Sequence, residues 1–285
     1  MATESRQPRE GAEDGGATAL QVTGAKDPYP TIRSLLTSTS PEELRKGLEL
    51  AKHEITRVGP LEAKELFEIV SVIFYIDPLD RPDLVPILDE AVSLVVGFGE
   101  WVIPVLVDHL EAGDIKAQLA VGHALGRIGA EAIEPLMAKY ASSADPSTRT
   151  FVLYALGKVK SPRIVKAASL VLEAARSDDL ELRDTATRAI GKLAESIPVE
   201  ELTDDLRRKF LERLHANLAD TNAVVRAKAV RSLGKLAKAG HLRPPEREAL
   251  EAVCKGLLGE DESFEWDRAY GVRREAEETL RYVRG

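Results

Sequence analysis

Five stretches of the chain carry one pattern: Ala117-Gln118 through Ile128, Thr148-Arg149 through Val159, Leu182-Arg183 through Leu193, Val225-Arg226 through Leu236 and Val272-Arg273 through Val283. Each begins with a small or apolar residue and a long polar one. Four then reach Leu/Ile-Gly, one further residue and an apolar residue, whereas the fifth has Arg281 in place of the glycine. Such repetition decides an architecture before any single residue is weighed. Counted from the long polar residue, positions −1, +3, +7 and +10 are Ala, Val, Leu, Ile or Thr throughout. At about 100° per residue those offsets cover about one third of a helix circumference, which is the width of a buried face.

Other apolar stripes lie between these segments. They are Ile133, Leu136, Met137 and Tyr140; Ile164, Val165, Ala168 and Leu172; Leu206, Phe210, Leu214 and Leu218; and Leu250, Val253, Cys254 and Leu257. Each unit therefore reads helix, turn, helix. Asp145-Pro146 and Ser161-Pro162 each place an N-cap before a proline at the first helical position. The expected fold is all-α, an α-α superhelix of about thirteen helices in which each unit touches only its neighbours. An aromatic content of 5% agrees, because Ala and Leu are left to pack helices that lie close together.

Upstream the pattern weakens. Residues 1–30 are polar, Gly-rich and without period, and are expected to be a disordered tail. Residues 31–112 read as degenerate helical pairs, with Ser40-Pro41-Glu42-Glu43 predicting a capping box. Residues 113–285 are the regular array, continuous with the preceding helices. Gly126, Gly157, Gly191 and Gly234 share one register inside these helices, where glycine costs about 1 kcal/mol against alanine. Close approach of a neighbouring helix explains that repeated cost. The spacing between these glycines lengthens along the chain, which predicts longer loops near Ser196–Thr203 and Ala239–Pro245.

The pattern Asp-x-x-x-Arg, followed by Ala and Leu-Gly-x-apolar, resembles the HEAT-repeat family. The short units Asp114–Tyr140 and Asp145–Leu172 are similar to the subtype named after phycobilisome lyases. The resemblance covers about Asp114 to Gly285 and implies an armadillo-like α-solenoid. It also implies a ladder of hydrogen bonds between adjacent repeats, formed by Asp145/Arg149, Asp179/Arg183, Asn222/Arg226 and Arg273. Arginine suits that role because its planar fork holds two acceptors. Gln118 and Ala269 weaken the ladder at its ends.

Offsets +5 and +9 lie opposite the buried face, one turn apart. They read His123/Arg127, Tyr154/Lys158, Arg188/Lys192 and Arg231/Lys235, and the series breaks at Glu278/Tyr282. If these helices line the inner curve, the eight residues form a basic track on the concave surface of a protein whose net charge is −8. The function expected is that of a non-catalytic scaffold or adaptor holding an acidic segment of a protein partner. A lysine following Leu-Gly is equally a plain solvated residue. Two alternatives stay open: a lyase-like factor or enzyme subunit acting on a tetrapyrrole-bearing client, and nucleic-acid binding through the basic stretch 226–247. An acidic loop with Phe264 and Trp266 is a further interaction candidate.

Signals for catalysis are poor. The chain has no P-loop and no dinucleotide turn. Its five histidines lack metal-ligand spacing, and Cys254, the only cysteine, lies on an apolar stripe. Neither a metal nor a cofactor is expected. Without a signal-peptide core or an apolar run long enough to span a bilayer, the expected location is cytoplasmic and no membrane partner is expected.

Overall fold

The computed structural model describes residues 29–111, 113–260 and 266–284, and within them the chain is helical, with no strand. The α-helices are α1 (Pro30–Leu36), α2 (Pro41–Ile55), α3 (Pro60–Val70), α4 (Val85–Val96), α5 (Val102–His109), α6 (Ile115–Ile128), α7 (Ile133–Ser142), α8 (Pro146–Leu156), α9 (Ala168–Ala174), α10 (Leu180–Ser196), α11 (Asp204–Leu218), α12 (Ala223–Lys238), α13 (Pro244–Leu258) and α14 (Tyr270–Arg284). The fourteenth helix, beyond the thirteen expected, is α1. It is too short to show a period, yet Ile32 and Leu36 are buried. The tail expected over residues 1–30 lies outside the described residues, apart from Tyr29 and Pro30, and Pro30 opens α1.

Local chemistry sets the helix starts. Asp114, Asp145, Asp179 and Asn222 each occupy an N-cap and accept a backbone N–H from the first turn. Pro41, Pro146 and Pro244 begin their helices, where a missing N–H is harmless. At Ser40 the expected capping box is only half made. The Ser40 hydroxyl accepts from Glu43 N–H at 3.5 Å, but the Glu43 carboxylate accepts from the Ser38 hydroxyl instead of from Ser40 N–H.

The helices form seven consecutive pairs in two rows. The even-numbered helices pack each against the next, from α2 to α14, without interruption. The odd-numbered helices meet over much shorter stretches. Two rows of unequal spacing bend a stack, and the tighter row lies on the inside of the curve. The even row is the more closely packed of the two. The −1, +3, +7 and +10 side chains fill the space between rows, and all are buried except Ile128 and Val283, which are half-buried. The one polar member, Thr148, donates its hydroxyl to the Asp145 carboxylate at 2.7 Å.

Three of the four glycines account for the tightness of the even row. A Cβ on Gly126 would lie 2.3 Å from the Lys158 Cβ, one on Gly191 2.8 Å from the Ser232 Cα, and one on Gly234 2.6 Å from the Thr279 hydroxyl. Gly157 differs. It ends α8 instead of lying inside it, and a Cβ there would meet nothing closer than 3.4 Å.

Candidate functional site

The polar rungs of the array are built differently from the Asp-to-Arg pairs that the sequence implies. Asp145, Asp179 and Asn222 are occupied as N-caps. The arginines reach elsewhere. Arg149 donates to the carbonyl of Ser143, Arg183 to Ser177, Arg226 to Asp220 and Arg273 to Asp267, always six residues back. Two of them also cross to the following unit: Arg183 Nε donates to Asp220 at 2.7 Å, and Arg226 Nε to Asp267 at 2.7 Å. Both carboxylates are held low by these arginines against the opposing effect of burial. The same position six residues back also closes the turn, since Ser143, Ser177, Asp220 and Asp267 each accept the N–H two residues on. A serine there can perform only the turn function. Arg149 therefore has no carboxylate from its neighbour, and stacks at 5.1 Å over the Tyr140 ring instead.

The +5 and +9 side chains separate into two groups. At the C-terminal end the charges have acidic partners, on the adjacent tier for Arg231 and Lys235 and on the same helix for Lys192. Arg231 forms a forked pair with Glu275, one arm at 2.8 Å. Lys192 and Lys235 share Glu195, at 3.0 and 3.2 Å. Burial and the nearby Lys192 push the Lys235 ammonium down to about 7. At the other end Arg127 is paired with Asp89 and donates to the Ser93 hydroxyl at 2.6 Å.

Between these ends the charges are unmatched. Among the described residues, neither Lys158 nor Arg188 has a carboxylate within ion-pair distance. They meet at a shallow cavity lined by Tyr154, Gly157, Asp184, Arg188 and Lys192. Lys158 lies over the Tyr154 ring at 4.9 Å. Burial, followed by the fields of Arg188 and Lys192, lowers its pKa. The Tyr154 hydroxyl hydrogen-bonds His123 Nε2 at 2.9 Å. Burial and the cations Lys158 and Arg127 depress the His123 pKa. Asp184, which the sequence reading passed over, is raised by burial, and its Oδ1 has no hydrogen-bond partner. Its register, +1, is one turn before Arg188 and could have singled it out.

The basic stretch 226–247 is largely paired with groups elsewhere in the array. Arg226, Arg231, Lys235 and Arg243 are paired with Asp267, Glu275, Glu195 and Asp204, and Arg247 donates to the carbonyls of Tyr282 and Ala237. Phe264 lies outside the described residues, while Trp266 is half exposed beneath Arg273 at 4.5 Å. Cys254 is buried and its thiol is pushed up to about 12, far from a thiolate nucleophile. Among the described residues no group of three or more His, Cys, Asp and Glu is placed to hold a metal, and no helix is long and apolar enough to cross a membrane.

Comparison with known proteins agrees with this architecture. Residues 103–191 match the family model for HEAT repeats. No curated protein matches the chain in sequence. Among solved structures, a chain of the complex of CpcE and CpcF of phycocyanin lyase from Nostoc sp. PCC7120 superposes with a TM-score of 0.51 at 18% identity. That alignment covers 63% of this chain and 98% of that one. A chain from a structure of Kap95p bound to RanGDP gives a TM-score of 0.59 at 14% identity, covering 88% of this chain and 35% of that one. At these identities the likeness is one of fold. The chain has an α-solenoid fold, and its residues 103–191 match HEAT repeats.

Proposed function

We propose that this protein is a binding module whose concave face holds an acidic segment of a protein partner, with Lys158 and Arg188 taking the carboxylates. The observation that carries this reading is the unmatched pair at mid-array. Within the +5 and +9 series the other four cations, Arg127, Lys192, Arg231 and Lys235, each have a carboxylate within ion-pair distance; among the described residues Lys158 and Arg188 have none. A partly desolvated ammonium beside two other cations is unfavourable, and an arriving carboxylate relieves that cost. The preformed groove also limits the ordering cost to the partner's own segment. His123 and Tyr154 have a supporting part, as Tyr154 forms the wall on which Lys158 rests.

The test is fluorescence anisotropy with a labelled peptide containing a block of three glutamates, at salt concentrations of about 50 and 300 mM. Binding should weaken at the higher salt, as screening requires. It should also weaken as pH rises, because carboxylate binding raises the depressed Lys158 pKa and so takes up a proton. A Glu→Gln peptide that binds equally well would remove the proposal.

A further inference from the structure

The unmatched cations have an apolar neighbour on the same face. A second cavity, with about 280 Å³ of space, opens between α4 and α6. Its walls are Ile76, Pro78, Val85, Leu88, Val92 and Leu119, and its rim carries Asp89, Lys116, His123, Arg127 and Tyr154. Val85 and Leu119 remain 43% and 37% exposed there. Leu79 is 90% exposed, in the turn whose Asp77 is paired with Lys116 at 2.9 Å. Apolar side chains of this size gathered around one concavity mark a binding surface more often than scattered ones do.

Three features tie this cavity to the basic one. Tyr154 lines both, so they are compartments of a single groove. The rim charges of the apolar compartment are already paired, Arg127 with Asp89 and Lys116 with Asp77, so an apolar group entering it leaves no charge newly unmatched. The register also changes along the row: the +1 residue that is Leu119 in α6 is Asp184 in α10, and the +5 residue that is His123 in α6 is Arg188 in α10. Such a face offers an apolar contact at one end and an anion site at the other.

We infer that the groove recognises a bipartite extended peptide segment. One large aliphatic or aromatic side chain enters the compartment between α4 and α6, and carboxylates occupy the compartment between α8 and α10. This inference rests on the acidic-segment reading above. The compartments lie two tiers apart, about 16–20 Å at the usual interhelix distance. An extended chain advances about 3.3 Å per residue, so about five or six residues separate the two elements. The unmatched charge of Lys158 and Arg188 selects an acidic partner over a basic or neutral one.

The experiment uses the full chain and synthetic peptides in fluorescence anisotropy. Each peptide carries one leucine and three consecutive glutamates, joined by Gly-Ser spacers of about two, five or eight residues. The spacer of about five should bind most tightly. Replacing its leucine by alanine should weaken binding about 10- to 100-fold, the range set by burying one large apolar side chain. Leu119→Ser in the protein should erase that leucine preference while leaving the alanine peptide's affinity unchanged. Should Leu119→Ser fail to fold, as read by circular dichroism, the leucine-to-alanine and spacer series on the unaltered protein still decide the matter. Binding that depends on glutamate but is indifferent to leucine or spacer overturns the bipartite inference and leaves the acidic-segment reading standing. Binding indifferent to glutamate overturns both.

Discussion

The two ends of the even row share a helix–turn–helix plan but close their interior by different means. From α10 to α14 the contact is made by glycine against small hydroxyl residues. Gly191 lies against Ser232, whose hydroxyl donates to the Thr187 carbonyl at 2.9 Å, and Gly234 lies against Thr279, which donates to the Val230 carbonyl at 3.3 Å. Carboxylates from the next tier pair with Arg183, Arg226 and Arg231 there. From α2 to α6 there are no such rungs. Helix α3 gives way to a 3-10 turn at Ser71–Tyr75, and aromatic rings fill the space, with Phe67 set edge-on to Phe98 at 6.4 Å and to His109 at 5.2 Å. Large rings pack an irregular layer but leave concavities at its surface. Glycine and serine close a layer, provided the charges along it are matched within the array. The unmatched cations fall between the two regimes, at the rung where Ser177 stands in place of an aspartate.

The largest effects should come from emptying either interior. Phe67→Ala should cost about 3–5 kcal/mol and Leu233→Ala about 2–5 kcal/mol in denaturant unfolding, since both side chains are fully buried. Costs below about 1 kcal/mol at either site would deny that these layers are packed cores. Next, Gly191→Val should destabilise by at least about 1–3 kcal/mol, because its Cβ collides with the α12 backbone. Gly157→Ala, with ordinary contacts and a right-handed backbone, should change stability by less than about 1 kcal/mol. Equal melting of the two variants would erase the distinction between a spacer glycine and a terminal one.

The rungs allow a change in both directions. Asp267→Ala should lose about 1–3 kcal/mol by stripping Arg226 of its carboxylate and Ala269 N–H of its acceptor. Ser177→Asp keeps the turn acceptor and offers Arg149 the missing carboxylate, so it should gain up to about 1 kcal/mol. A loss at Ser177→Asp would show that the seam is not a vacant rung. A pH dependence sharpens the comparison from another side. The folded pKa of Lys235, about 7, lies below its ordinary value of 10.5, so the unfolded chain binds more protons between those limits. The Lys235 contribution to stability must therefore rise with pH across that window. Thermal melts from pH 7 to 10 should show Lys235→Met lacking that component; identical profiles would refute it.

The helical rows were legible because their buried face recurs at four fixed offsets, which no other element imitates. Helix α1 was not, being under two turns long. The rung carboxylates escaped notice because Asp220 and Asp267 lie in turns, ahead of their own units and far along the chain from the arginines they serve. Sequence patterning exposes contacts one helical turn apart and hides contacts between tiers. For the same reason the basic track read as eight equivalent side chains, when Asp89 and Glu275 on neighbouring helices pair with Arg127 and Arg231, and one carboxylate, Glu195, is shared by Lys192 on its own helix and Lys235 on the next. One wall of the apolar compartment, Ile76 to Val92, lies among degenerate units, where no repeat supplies a register for comparison.

The central claim is that unmatched charge, and not basic character as such, sets where the partner binds. Anisotropy titration of the glutamate-block peptide against two variants tests it. Lys158→Gln/Arg188→Gln should weaken binding about tenfold or more, whereas the charge-balanced Arg231→Gln/Glu275→Gln should leave it within about twofold. Equal losses in both variants, or a loss confined to the second, would contradict it.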